Sequence, residues 1–229
     1  MPDAVVPVRE IAGLPVAQVC IGSCVNSSYE DLTVTAAVLA GKRVHPSVSL
    51  TITPGSRQVF ALIARSGALA TLIEAGARVL ESACGPCLGI GQAPATGVAS
   101  LRSSNRNFKG RSGTADDQVY LASPETCAAT ALRGVLTDPR ELGAPIAVAV
   151  PASFVTEDTM IVPPLPPEEA AAVEVVRGPN IKPVPVAGPL PETLRGRVLL
   201  KVGDNITTDA ILPAGAQILP LRSNIPAIA

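Results

Sequence analysis

Residues 16–40 read VAQVCIGSCVNSSYEDLTVTAAVLA. A short apolar run, Val16–Ile21, breaks at Gly22 and Ser23. After the polar stretch Asn26–Ser28, apolar residues return at three- and four-residue spacing over Tyr29–Ala40. A strand, a tight turn and a helix packed on a sheet account for that change of period. The alternation continues outward. Val48–Ile52, Arg78–Leu80, Val98–Leu101 and Val119–Leu121 are the further predicted strands. Ser56–Arg65, Ala68–Ala75 and Pro124–Leu136 are the further predicted helices, the last with Pro124 at a first-turn position. Strands alternating with helices predict an α/β class domain over residues 1–138, a three-layer α/β/α arrangement around a mostly parallel sheet.

Beyond Pro139 the texture changes. Pro recurs every few residues as far as Pro191 and helix periodicity stops. Each Pro fixes φ and removes a donor, so 139–195 reads as an extended, Pro-rich linker. A new apolar strand is expected at Val198–Val202, running into GDNITTDAILPAG at 203–215, which makes 196–229 the start of a second, incomplete domain.

The chain has 229 residues, 47% hydrophobic against 16% charged, with 2% aromatic and no Trp. That excludes a disordered tail for most of its length and leaves the core to aliphatic side chains. A net charge of −1 without any Lys/Arg cluster argues against nucleic acid as a partner. No apolar run approaches the roughly 20 residues of a membrane span, and no basic segment leads into an apolar one at the N-terminus, so a cytoplasmic protein without a membrane partner is expected. The five Cys are an odd count without the density of a disulfide scaffold, which favours metal, redox or buried-thiol roles.

In open α/β sheets ligands bind where loops leave the carboxyl ends of strands, and the chemically suggestive residues fall on such loops. Cys24 follows the first strand. Cys84 and Cys87, in ESACGPCLGIG, follow the next strand but one, and the intervening Gly–Pro lets the backbone double back so that both sulfurs face one centre. Such a pair serves zinc, a redox dithiol or an iron–sulfur cluster. Structural zinc usually takes four closed ligands, whereas one pair plus Cys24 is present here. A thioredoxin-like dithiol needs no third cysteine and usually opens a helix early in its fold, although C-G-P-C keeps that reading open. Cys20, within the first strand, and Cys127, in an Ala-rich helix, read as small buried hydrophobes. His45 is a lone loop histidine and is given no ligand role. In SSNRNFKGRSG, Arg106 and Arg111 flank a glycine-containing turn. A solvated basic loop is the plain alternative, but the position after a strand points to an anion site taking a carboxylate bidentately.

IGSCVNSSYEDL, TPGS, ACGPCLG, SSNRNFKGR and GDNITTDAILPAG together resemble the aconitase superfamily, in its order and approximate spacing, over most of the chain outside the Pro-rich stretch. The resemblance implies that Cys24, Cys84 and Cys87 ligate three irons of a [4Fe-4S] cluster, leaving the fourth open to substrate. It implies that Asn105, Arg106 and Arg111 line the substrate site, and that Asp209 is an active-site aspartate at the head of a swivelling domain. Ala210 departs from the family there, where many members have His. The activity implied is that of an aconitate hydratase, interconverting citrate and isocitrate, with a tricarboxylate as the small-molecule partner. The alternatives are an isopropylmalate or homoaconitate isomerase large subunit, a non-catalytic cluster-binding module, or a thiol-redox module. The family's remaining domains, with further proton-transfer groups, are expected in the full-length protein, so the isolated chain is expected to be inactive.

Overall fold

The computed structural model describes residues 4–156, 158–179, 181, 183, 186–204, 206–212, 218–221 and 224–228. Strands β1 (Gln18–Ile21), β2 (Ser49–Ile52), β3 (Arg78–Val79), β4 (Ala99–Arg102) and β5 (Gln118–Leu121) form one parallel sheet in the order β3-β2-β1-β4-β5. Gln18 lies opposite Ser49 on one side and Ser100 on the other, so β1 is central. Val19, Cys20 and Ile21 are all buried although successive side chains point to opposite faces, so both faces of the sheet are covered. This is the expected α/β class.

Five helices accompany the sheet: α1 (Val8–Ile11), α2 (Tyr29–Leu39), α3 (Arg57–Ser66), α4 (Ala68–Glu74) and α5 (Pro124–Arg133). The three longest begin at serines whose hydroxyls accept an orphan backbone N–H. Ser28 accepts from Asp31 N, with the Asp31 carboxylate returning the bond to Ser28 N; Ser56 accepts from Val59 N and Ser123 from Thr126 N. Helix α2 packs against α4 and α5. Helix α5 stops at Arg133, short of the expected Leu136. Gly134 takes the left-handed conformation at φ 74° and its N–H closes onto Thr130 O. Val135 and Leu136 are thereby free to pair with the segment before β1, through Leu136 N to Leu14 O at 2.8 Å.

The chain divides into two compact units, Met1–Ile161 and Val162–Ala229. Within the first, the stretch after α5 folds back on the domain, as in the bond from Gln58 Nε2 to Val155 O at 2.6 Å. In the second, the expected strand Val198–Val202 is not formed. Its residues have no ladder partner among the described residues, and Leu199 is 94% exposed. A strand exists only by pairing, and an apolar run alone does not supply a neighbour. Described structure there is limited to two four-residue helices, Pro167–Ala170 and Ile225–Ile228, and short turns, among them Thr208–Ala210. Of GDNITTDAILPAG, Asn205 and residues 213–215 lie outside the described residues. Among the described residues no helix is long and apolar enough to cross a membrane.

One feature of this topology places the site. The chain winds from β1 through β2 to β3 and then returns to the other side of β1 to lay down β4 and β5. The order reverses between β1 and β4, and the crevice outside their carboxyl ends is the position where doubly wound sheets take ligands.

Candidate metal centre

The loops leaving β1, β3 and β4 are locked to one another by backbone approach. Gly22, at φ 91°, sits so close to the loop after β2 that a Cβ would stand 2.2 Å from Thr53 O. Its N–H donates to Ser103 Oγ at 2.8 Å. Asn26, which also takes a positive φ of 50°, donates from Nδ2 to Ser103 O at 2.6 Å. The loop carrying Cys24 is thus tied to the loop carrying Asn105 and Arg106. Gly89 does the same for the C-G-P-C segment: a Cβ there would overlap Ser112 O at 1.9 Å. Only glycine permits the close approaches at positions 22 and 89.

Three thiols meet in this setting. Cys24 and Cys84 are exposed, Cys87 is buried, and all five cysteines of the chain are unbridged. The Cys84 thiol is raised above the ordinary cysteine value, first by partial loss of water. A hydrogen bond with Cys24 and the neighbouring Cys24 and Cys87 sulfurs add to the rise, and the Arg111 guanidinium opposes it. Cys87 Sγ lies 3.8 Å from Asn105 Oδ1. Arg111 is buried, its Nη2 donating to Cys87 Sγ at 3.4 Å and its Nε to Cys87 O at 3.2 Å, with its guanidinium 5.7 Å from the centre of the Phe108 ring. Arg106 is half-buried and donates from Nη1 to Asn105 O at 3.0 Å. Asp209 belongs to the second unit, where Thr207 Oγ1 accepts from its N–H at 3.1 Å and donates to its carboxylate at 3.2 Å.

Cys20 and Cys127 are buried apart from this group, in β1 and α5. Burial pushes the Cys127 thiol up, helped by Cys20 and Glu125, so it stays protonated and inert. His45 is engaged with α5 through its N–H to Ala131 O and with Ser47 Oγ at 2.7 Å.

Two residues of the site give no signal as motifs. Asp117 accepts from Gly110 N at 3.0 Å and Ser112 N at 2.9 Å, fixing the backbone on both sides of Arg111. Arg102, at the end of β4, is 1% exposed. A cation directly after the buried run Ala99–Leu101 was the available clue to it.

Among the described residues no three His, Cys, Asp or Glu side chains close around a single ion. A cluster asks for something different, since each thiolate takes its own iron. Three interacting thiols on two mutually locked loops, Cys24 on one and Cys84 and Cys87 on the other, suit that demand. Ser104 Oγ and Ser112 Oγ, in the loop that faces them, are buried without a hydrogen-bond partner among the described residues, which marks the setting as polar. The donor set fits an iron–sulfur cluster.

The family model for the aconitase family (aconitate hydratase) matches residues 5–134. The chain belongs to the aconitase family. Among its relatives is the 3-isopropylmalate dehydratase large subunit 1 of Methanopyrus kandleri, 50% identical over 140 residues, which is 61% of this chain and 34% of the relative. The homoaconitase large subunit of Thermus thermophilus is 47% identical over 141 residues, 61% of this chain and 34% of that one. The chain spans about a third of the length of the curated relatives it matches. In this aconitase-family chain the matched part holds the sheet and all three clustered thiols. The expectation of an aconitate hydratase in particular is not what these relatives favour, since their names are those of isopropylmalate and homoaconitate enzymes.

Proposed function

We propose that this chain is the cluster-holding core of an aconitase-family hydro-lyase of the 3-isopropylmalate dehydratase and homoaconitase type. Cys24, Cys84 and Cys87 hold the [4Fe-4S] cluster. The observation that carries the reading is the meeting of these thiols with Arg111 at the switch point of the sheet. When bound, the cluster supplies an iron without a protein ligand that polarises the hydroxyl to be lost.

The chain's own residues bind and orient. Arg106 and Asn105 stand on the rim of the thiol group and receive a substrate carboxylate, Arg106 through its planar fork. Arg111 orients Cys87 by donating to its sulfur from Nη2 and to its carbonyl from Nε. Cys87 is buried in a loop held against Ser112 by the close approach at Gly89. Asp209 takes the active-site aspartate role that the resemblance implies for it, and the remaining domains of the full-length protein, or a small subunit, supply the proton-transfer groups.

A second reading, aconitate hydratase, is favoured by one observation. GDNITTDAILPAG continues on this chain beyond the region the family model matches, whereas the relatives are named as large subunits. One experiment addresses both. The full-length protein, reconstituted anaerobically, is assayed for iron and sulfide and then against 3-isopropylmalate, homoaconitate and citrate. Cluster assembly with turnover of either of the first two is expected, and citrate as the preferred substrate moves the assignment to aconitate hydratase. In Cys84→Ser and Cys87→Ser the cluster is lost, because a hydroxyl does not replace a thiolate on iron. A full iron and sulfide content in either variant refutes the ligand assignment. Arg106→Lys should keep the cluster spectrum and raise KM, since the charge remains and the fork does not.

A further inference from the structure

Arg102 is the bulkiest of the fully buried side chains. Its Nε donates to Ser100 Oγ at 3.0 Å, and its Nη2 to Gln18 Oε1 at 3.0 Å and Gln92 O at 2.9 Å. Its Nη1 donates to Pro86 O. Pro86 is the residue immediately before Cys87, and Gln92 closes the same loop. Gln92 O also accepts from Gln18 Nε2 at 3.2 Å, and its side-chain oxygen from Arg78 Nη2 at 3.0 Å.

A guanidinium stays charged in a protein interior, and burying it is unfavourable unless its donors are met. These acceptors are all neutral, so no ion pair offsets the burial. An aliphatic residue would fill this end of β4 at lower cost, as Leu101 does beside it. What an aliphatic residue cannot do is hold two carbonyls of one loop from a rigid strand.

We propose that Arg102 is the positioning residue of the C-G-P-C loop. It pins the backbone at Pro86 and at Gln92, and through them holds Cys87 buried against Asn105 and Arg111 before any metal arrives. The pinning is a property of the loop itself; only its consequence for cluster retention rests on the function proposed above.

The test measures alkylation by iodoacetamide at each cysteine of the full-length, metal-stripped protein by mass spectrometry. In Arg102→Gln, labelling of Cys87 is expected to accelerate about tenfold or more, as for loss of a charge-assisted bond that controls local opening, while Cys20 and Cys127 stay protected. Arg102→Lys, which keeps the charge and part of the bonding, should fall between Arg102→Gln and wild type. Gln18→Met leaves Arg102 in place and removes one acceptor, so it provides a milder variant if Arg102→Gln does not fold; a smaller rise confined to Cys87 is expected. An unchanged Cys87 rate overturns the proposal. So does a rise shared equally by Cys127, which would make Arg102 an ordinary core residue. Iron and sulfide retention is then read separately. Faster loss from Arg102→Gln is expected, and a wild-type protein that holds no iron defeats the functional reading while leaving the alkylation result to decide the pinning.

Discussion

Val16–Ile21 and Val198–Val202 are apolar runs of similar length, and they end in opposite states. Val19 and Ile21 are 0% exposed, whereas Val198 is 84% and Leu200 79% exposed. The difference lies in what stands beside them. The first run becomes β1 because β2 and β4 pair with it on both sides and helices close over it. The second has no such neighbour among the described residues, so its backbone gains no ladder and its side chains gain no burial. Hydrophobicity is a capacity, and topology decides where it is used.

The sharpest way to break this comparison is to remove the same side chain from both regions. Leu50 in β2 is 1% exposed and Leu199 is 94% exposed. Leu50→Ala should destabilise the first unit by about 2–5 kcal/mol, the range for emptying a packed core site, and Leu199→Ala should change it by less than about 0.5 kcal/mol. Chemical denaturation of each variant measures both. A cost at Leu199 equal to that at Leu50 would show that the apolar run is buried in the native protein.

A second, smaller effect tests the α5 terminus. Gly134 combines φ 74° with a space in which a Cβ would sit 2.6 Å from His45 Nδ1. Gly134→Ala should therefore cost about 1–3 kcal/mol, strain and displacement of the imidazole together. Gly67, after α3, takes nearly the same conformation at φ 83° and ψ −7° but has nothing within 4 Å, so Gly67→Ala isolates the backbone part and should cost less.

The same contrast explains how much was legible in the sequence. Each strand of the sheet was placed to within about two residues, because period and turn residues are local and the sheet buries both of its faces. That the thiols and the Asn105–Arg111 segment lie on loops leaving those strands was legible, because the loops follow directly from where the strands end. The pinning role of Arg102 was not, since it depends on four acceptors contributed by β1, β4 and the loop after β3. Nor was the role of Asp117, whose partners are backbone amides that no residue type announces. The end of α5 was misplaced although Gly134 stood in view, because apolar spacing was followed past a residue suited to a left-handed cap. Val198–Val202 failed for the reason given above.

Alkaline pH separates the buried thiol of the core from the rest of the chain. Cys127 has its pKa raised from 9.0 by burial, so the folded state keeps the proton that the unfolded chain releases. Above about pH 9 the unfolded state binds fewer protons, and stability falls by about 1.4 kcal/mol per pH unit for this one group; below that pH the group has no effect. Comparing wild type with Cys127→Ala across pH 8–10 should show parallel stability below about pH 9 and a steeper decline in wild type above it. Parallel curves throughout would mean that Cys127 ionises as easily folded as unfolded.

The smallest expected effect returns to the two regions through their helix caps. Ser123 and Thr207 play the same local part, each accepting a backbone N–H at the start of a helical segment. Ser123 heads the ten-residue α5, whose Cys127, Ala128 and Ala131 are buried in the core, so loss of the cap is transmitted to the whole domain. Thr207 heads a three-residue turn with no buried residue. Ser123→Ala should then cost about 1 kcal/mol, near the usual value for a cap, and lower the Tm of the first unit. Thr207→Ala should leave that Tm unchanged, because the turn it caps supports no buried surface. It should still be felt at Asp209, which loses an acceptor for its N–H and a donor to its carboxylate. On the function proposed above, the expected outcome in the full-length protein is a lower kcat with unaltered stability, the reverse of Ser123→Ala. A Tm loss at Thr207 as large as at Ser123 would assign the turn a packing role and weaken the case for Asp209 as a functional group.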